Sequence, residues 1–309
     1  MITTITLNAA LDTTYVLSDF RVGQTNRIER SHTEPGGKGV NVAKVLHKLE
    51  IPVTAGGFIG GRNGNELTER LKEMKLKQNF ITVPGETRTC LSIIDETFKQ
   101  ETEILELGLQ VNARSWEQMC AYVEKAVQVS SLIVLSGSLP LGIAKHGYAE
   151  LLEIINGSGT KAILDTSGKA LSLALAAKPF LIKPNEDEIK QLLSKETLST
   201  DELIAAGHRL NEQGIEHVCI SQGKDGAVFT RIGEAYLIKA PKLAAINTVG
   251  SGDAMVAGFA AGFDQNQPLT DILALAAACA GANALQPYAG IVAPADVWQL
   301  KKKVSITRL

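Results

Sequence analysis

Short apolar runs and longer amphipathic segments alternate along most of this chain, and that alternation restricts its fold more than any other feature. Ile2–Leu7, Val53–Ile59, Leu132–Leu135, Ala162–Leu164, Phe180–Ile182 and His217–Ile220 read as buried strands. Val42–Leu49, Asn65–Met74, Trp116–Val127, Gly147–Ile155, Glu186–Leu193 and Asp201–Gln213 carry helical periodicity between them. Strands separated by helices return by right-handed crossovers and build a mostly parallel sheet with helices on both faces. The expected fold class is therefore α/β, doubly wound. Four stretches break the rhythm: Thr14–Leu17, Asn26–Thr33, Thr87–Asp95 and Thr102–Leu107 alternate apolar and polar residues, with no helix between neighbours. They predict a small separate sheet set into the main one. No Pro/Ser-rich linker or internal repeat divides the chain, so 1–309 is expected to be one domain with a β lid from about 12–35 and 86–108.

Charge narrows the partners. The 31 Lys and Arg against 33 Asp and Glu leave a net charge of −2. A dedicated DNA or RNA binder gains affinity from phosphate neutralisation and needs a basic excess, so no nucleic acid is expected. The four cysteines, Cys90, Cys120, Cys219 and Cys279, match neither a zinc ribbon nor a disulfide framework. The N-terminus carries no cationic leader, and the longest apolar run, Leu273–Leu285, is short of a membrane span. A soluble, cytoplasmic protein is expected.

Glycine is the one unusual count, 28 residues, and its placement is informative. Glu34-Pro35-Gly36-Gly37-Lys38-Gly39-Val40-Asn41 runs directly into a helical segment. It reads either as a turn or as a backbone that approaches a ligand, with Lys38 and Asn41 able to reach the same ligand. Gly250-Ser251-Gly252-Asp253 precedes a segment, Ala254–Gly262, that is apolar on every face. A buried helix there would carry free N–H groups and a positive dipole end into the interior. Asp253 is then either a cap or a base beside an anion hole. Ser221-Gln222-Gly223-Lys224-Asp225-Gly226 reads as a hairpin or, at the end of a parallel strand, as a nucleotide-binding loop. In Lys183-Pro184-Asn185-Glu186-Asp187-Glu188 the acidic turn either complements a helix dipole or lets Asn185 and Glu188 hold a hydrated Mg²⁺. No Walker A loop is present, no G-x-G-x-x-G follows a strand, and the five histidines form no metal spacing.

Further motifs accompany these: Thr6-Leu7-Asn8 with Asp12, Thr87-Arg88, Ser136-Gly137-Ser138-Leu139-Pro140 and Asp165-x-Ser167-Gly168. With them the sequence resembles, from end to end, the ribokinase-like (PfkB-type) carbohydrate kinases, in the branch acting on sugar phosphates. The resemblance implies ATP as cosubstrate, Mg²⁺ as cofactor, a β lid over the sugar and a homodimer contact through that lid. By motif position, Asp253 would deprotonate the acceptor hydroxyl while the N–H groups of Gly250, Ser251 and Gly252 stabilise the transferring phosphoryl group. Asp12, Gly37, Asn41 and Ser136 would bind the sugar, and Lys38 and Arg88 the phosphate it already carries. Arg27, on a lid strand, would reach a phosphate across the dimer. Ser221, Gly223, Gly226 and Asn283 would border the nucleotide, with Lys183, Asn185 and Glu188 near its phosphates and metal.

The segments Thr87–Ile93 and Glu101–Glu106 point within the branch to the C1 hydroxyl of tagatose 6-phosphate, with fructose 1-phosphate as the alternative. Ala9 stands where the family has proline, which would loosen the loop carrying Asp12. A non-catalytic sugar-phosphate-binding regulator is the rival class, and intact Gly250, Gly252 and Asp253 speak against it.

Overall fold

The computed structural model describes residues 1–309. The chain opens with β1 (Ile2–Thr6), passes through β2 (Ala10–Leu17) and β3 (Arg30–Gly36), and returns by α1 (Lys38–Lys48), β4 (Val53–Ile59), α2 (Gly61–Glu73) and β5 (Lys77–Thr82). After β6 (Arg88–Asp95) and β7 (Gln100–Leu105) it alternates regularly: α3 (Ala113–Ala126), β8 (Leu132–Ser136), α4 (Gly147–Gly157), β9 (Lys161–Asp165), α5 (Gly168–Ala174) and β10 (Leu181–Ile182). It ends with α6 (Glu186–Leu193), α7 (Thr200–Glu212), β11 (His217–Ser221), β12 (Ala227–Arg231), β13 (Glu234–Lys239), α8 (Ser251–Asp264), α9 (Leu269–Ala284), α10 (Pro294–Lys301) and β14 (Ser305–Arg308).

The main sheet has ten strands in the order β14-β13-β12-β11-β10-β9-β8-β1-β4-β5. It is parallel from β11 to β5 and antiparallel from β11 to β14. Alternation along single strands shows why both faces need helices. Ile2 of β1 and Leu132 and Val134 of β8 enter one apolar layer, which also takes the buried faces of α1, α8 and α9. Ile5, Ile133 and Leu135 enter the other, with α3, α4 and α7. Two central strands buried along their whole length need cover on both faces.

Strand β4 and helix α6 fall on the residues expected from the pattern, and the other anticipated elements differ by a few residues at their ends. The elements not anticipated lie mostly at the sheet edges. β5 and β14 are edge strands with many exposed side chains, so they lack the continuous apolar run that marks a central strand. Helix α9 packs on α8 through small residues: a β-carbon on Gly258 would lie 2.5 Å from Ala276 Cα. That close approach explains a long, nearly all-buried run of alanines that is too short to cross a membrane, and no helix is long and apolar enough to do so.

The second sheet has the order β3-β2-β6-β7, with β2 and β6 parallel and the outer pairs antiparallel. Strand β2 begins at Ala10, earlier than its alternation suggested, and β3 covers Arg30–Gly36 rather than 26–33. Asp12 is therefore on a central strand of the second sheet, paired with Glu34 on one side and Cys90 on the other. Ala9, at the position expected to hold proline, is buried in the main core. All four cysteines are free thiols.

Candidate active site

The carboxyl ends of the parallel strands open into a cleft of about 1180 Å³, walled on one side by strands of the second sheet. Open α/β sheets bind ligands at this end. One continuous cavity includes Asp12, Gly37, Lys38, Asn41 and Arg88 at one end, Lys183, Asn185 and Gly250–Asp253 in the middle, and Ser221, Gly223 and Gly226 at the other.

Helix α8 aims its N-terminus into the middle of the cleft. Gly250 precedes it with φ 78°, and a β-carbon there would lie 2.8 Å from the Ala289 side chain, so only glycine fits this turn. The expected trio of N–H groups is corrected by one residue. The Ser251 N–H donates to the Thr248 carbonyl at 3.2 Å, whereas those of Gly250, Gly252 and Asp253 meet no protein acceptor. Three unmatched donors at a positive helix end form an anion site in a chain whose net charge offers none.

Asp253 is 6 % exposed and does not cap the helix. Burial pushes its carboxyl up to about 7, with nearby Asp165 adding to the rise and Lys38, Lys183 and the Asn41 hydrogen bond opposing it. Asn41 Nδ2 donates to its Oδ2 at 2.9 Å, leaving Oδ1 for a ligand. A buried carboxyl titrating near neutrality beside an anion site has the properties of a general base.

Asp165 joins the two halves of the cleft. It is 1 % exposed and lies between Lys38 Nζ, 3.3 Å from Oδ2, and Lys183 Nζ, 3.4 Å from Oδ1. Burial alone would raise its pKa, but the two ammonium groups prevail and hold it below the usual carboxylate range. Asp165 in turn raises Lys38. Lys38 therefore sits at the junction, facing Asp165, Asp253 and Glu188, and lines the same cleft as Arg88. Lys183 reaches Gly252, where a β-carbon would be 3.3 Å from Nζ, so its charge backs the helix end. Ser136 also departs from expectation: it is fully buried, with its hydroxyl 3.5 Å from Asp165 Oδ2, and it supports that carboxylate from outside the cleft.

At the lid end Asp12 lies over Gly36, where a β-carbon would come within 2.0 Å of Asp12 Oδ2. Burial raises the Asp12 pKa, opposed by Lys44, the Gly37 N–H and Arg88. Arg88 is anchored by donating to the Asn8 carbonyl at 3.1 Å and the Glu106 carbonyl at 3.3 Å, and its buried Nε has no protein partner. Arg27 does not contribute to this chain's cleft; it is exposed on the 18–29 loop and not on a strand.

The far end of the cleft is largely apolar. Ile238, Pro241, Leu243, Ala277, Ala280 and Ala284 form a slot beside Ser221 and Gly223. The 221–226 segment is at once a hairpin and a cleft wall: Gly226 has φ 102°, and a β-carbon there would be 2.0 Å from the Ile238 carbonyl. Asn283 is corrected from lining to scaffolding. It is fully buried, donates to the Val249 carbonyl at 2.8 Å and accepts from the Gly290 N–H at 2.9 Å, and so shapes the turn before α8.

Asn185 and Glu188 cap each other: Asn185 Oδ1 accepts from the Glu188 N–H at 2.7 Å, and Glu188 Oε2 accepts from the Asn185 N–H at 2.8 Å. Glu188 Oε1 remains outside this capping box, and the carboxylate is felt by Lys38 and Lys183. One free hard oxygen suits a Mg²⁺ that keeps most of its waters and takes its other ligands from phosphates. No cluster of three or more acidic, His or Cys side chains exists that could hold a metal unaided.

Three residues without an assigned role in the sequence reading prove structural to the site. Asp165 appeared only as part of a motif, Asn8 carries the carbonyl that anchors Arg88, and Lys44 lies buried against Pro35, Asn41 and Ala289. For Lys44 the available signal was a lysine within the mostly apolar stretch after Gly39.

The pfkB family carbohydrate kinases match this chain over residues 5–296. A tagatose-6-phosphate kinase of Staphylococcus epidermidis is 35% identical over 309 residues, covering 99% of both chains. A 1-phosphofructokinase of Bacillus subtilis is 35% identical over 311 residues, covering 100% of both. The phosphofructokinase-2 of Escherichia coli, solved in complex with fructose-6-phosphate, shares the fold with a TM-score of 0.90 at 25% identity over 98% of both chains.

Proposed function

Because the chain belongs to the pfkB family of carbohydrate kinases and is a sugar-phosphate kinase, we propose that it phosphorylates the C1 hydroxyl of tagatose 6-phosphate with ATP, using Asp253 as the general base. The observation that carries the assignment of the base is the buried Asp253 carboxyl, with Oδ1 free, at the start of α8 among three unmatched N–H groups.

The sugar phosphate enters under the lid with its resident phosphate at the Arg88 guanidinium, a fork suited to bidentate oxyanion contact. Asp12 and the Gly37 backbone accept and donate to its hydroxyls. The adenine fills the apolar slot and the triphosphate runs past Ser221 and Lys183 to α8. Asp253 Oδ1 takes the proton from the acceptor hydroxyl, the oxygen forms a bond to the γ-phosphorus, and the bond to the β-phosphate oxygen breaks to release ADP. The N–H groups of Gly250, Gly252 and Asp253, with Lys38 and Lys183, face the negative charge on the transferring group. Asp165 holds those two lysines in place. Mg²⁺, when bound near Asn185 and Glu188, supplies neutralisation of the polyphosphate charge.

Phosphorylation of fructose 1-phosphate is the second reading, favoured by equal identity to the B. subtilis 1-phosphofructokinase. A coupled ATP-turnover panel separates them. The highest kcat/KM is expected for tagatose 6-phosphate, below it fructose 1-phosphate and fructose 6-phosphate, and lowest for free ketoses. A maximum for fructose 1-phosphate replaces the first reading with the second, and a maximum for a free ketose removes both.

The lid also suits a dimer. Every residue of β7 is exposed, and Ile104, Leu105 and nearby Leu107 are 53%, 57% and 73% exposed. An open edge strand bearing apolar side chains needs a cover, and a second copy would also bring Arg27 towards its partner's cleft. Sedimentation is expected to give twice the 33.0 kDa chain mass; a monomer at micromolar concentration removes the lid dimer.

A further inference from the structure

We infer that Lys44 is a positioning residue for the base, holding the Asn41 side-chain amide in the one orientation that presents an N–H to Asp253. The inference rests on the reading of Asp253 as the general base. Lys44 follows Asn41 by three residues on α1, so the two side chains leave the same helix face. Lys44 is only 4 % exposed. Its ammonium donates to the Pro35 carbonyl at 3.0 Å and the Ala289 carbonyl at 2.9 Å, and Asn41 Oδ1 lies at 3.5 Å, the limit of hydrogen-bond reach.

An ammonium carries donors and no acceptor, whereas a carboxamide has an acceptor end and a donor end of nearly equal shape. Only the oxygen end of Asn41 can face Lys44. The NH₂ end must then face Asp253, where Nδ2 donates to Oδ2 at 2.9 Å. Gly290 closes another side, since a β-carbon there would lie 2.7 Å from Asn41 Oδ1. Without Lys44 the amide can turn its oxygen towards Asp253. A hydrogen bond to the ionised carboxylate would be replaced by two facing acceptors, and Asp253 would keep its proton to higher pH.

The charges around the pair are few and come from several elements. Asp253 faces Lys38 and Lys44 from α1, Asp165 from the end of β9 and Lys183 from the segment after β10. Lys44 faces Glu34 of β3, 3.6 Å away, and Asp12 of β2. Lys44 also acts on Asp253 directly through space, so a test has to separate that field from the route through Asn41.

The test is the pH profile of kcat/KM for Lys44→Met, whose unbranched side chain keeps the volume, measured with the sugar phosphate that the panel identifies. The acid limb is expected to rise by about 0.5–1 pH unit, with a loss of about 3–10-fold at pH 6.5 that narrows as pH rises. In an Asn41→Ala background Lys44→Met is expected to shift the limb no further, because the amide it orients is gone. Equal shifts in both backgrounds overturn the inference in favour of the direct field, and an unmoved limb overturns it outright. If Lys44→Met does not give a cooperative melt, Lys44→Gln replaces it. Gln adds an acceptor in a similar volume, and a smaller shift in the same direction is expected; no shift overturns the inference. Asp253→Asn, run alongside, keeps the two readings apart. An undiminished rate there overturns the base and this inference together, whereas a collapsed rate with an unmoved Lys44→Met limb overturns this inference alone.

Discussion

Asp253→Asn lowers kcat by about 10²–10⁴-fold while leaving sugar-phosphate binding largely intact, because it removes a proton acceptor used only as the acceptor oxygen attacks. Single-turnover kinetics and a separate binding measurement check it, and an undiminished rate takes the base role away from Asp253. In the unmodified protein the carboxyl titrates near 7, so kcat/KM falls with unit slope on the acid side below about pH 7. A flat profile from pH 5 to 8 contradicts the same assignment.

The substitution also has a stability signature of opposite sign. The folded-state pKa of about 7 lies above the ordinary value of 3.8, so between those pH values the folded chain binds the proton more tightly than the unfolded one. Stability associated with this group is therefore present in full below about pH 4, declines as pH rises, and is lost above about 7. The neutral amide carries no such penalty. Asp253→Asn is expected to be more stable than the wild type at pH 8 by about 2–4 kcal/mol, at roughly 1.4 kcal/mol per pH unit, and the gap should close on acidification towards pH 4. Thermal melts at pH 5 and 8 check it; a variant less stable at pH 8 shows that Asp253 is needed for packing. A site that gains stability when its function is removed is the expected trade-off for a buried charge kept for chemistry.

Arg88→Ala is expected to raise KM for the phosphorylated ketose by about 10–100-fold, the range of about 1.5–3 kcal/mol for hydrogen bonds to a charged group. KM for a free ketose should change by less than about threefold. Steady-state kinetics on both substrates decide, since equal effects would place Arg88 in the scaffold alone. That outcome has a physical basis, because Arg88 also ties the start of β6 to the carbonyls of Asn8 and Glu106. Arg88→Lys separates the parts: it keeps the charge but not the planar fork that spans two carbonyls.

Much of the fold was legible because strand and helix differ in period, and central elements must bury every side chain. β4 and α6 lie where periodicity alone placed them. The edges were not legible, since β5 and β14 are half-wet and carry no pattern distinct from a loop. Candidate site residues on glycine-rich loops were found because those loops combine glycine with Lys, Asn or Asp in a way that turning does not require. Their partners were harder to see. Nothing in the spacing of Ser136, Asp165 and Lys183, or of Asn283 and Gly250, indicates that each group converges. Ser136 and Asn283 consequently appeared as ligands when they are supports.

The sequence by itself determined the layered α/β class, the small second sheet and the loops that would meet in one cleft. Backbone period, glycine placement and residue chemistry are local properties, written within a few residues of where they act. Tertiary structure alone decided what each polar side chain faces. It put Asp165 between two lysines separated from it by 127 and 18 positions, passed the Ser251 N–H to Thr248, and set a donor-only lysine behind Asn41. Those are long-range electrostatic choices, governed by which groups are desolvated together, and no local pattern encodes them.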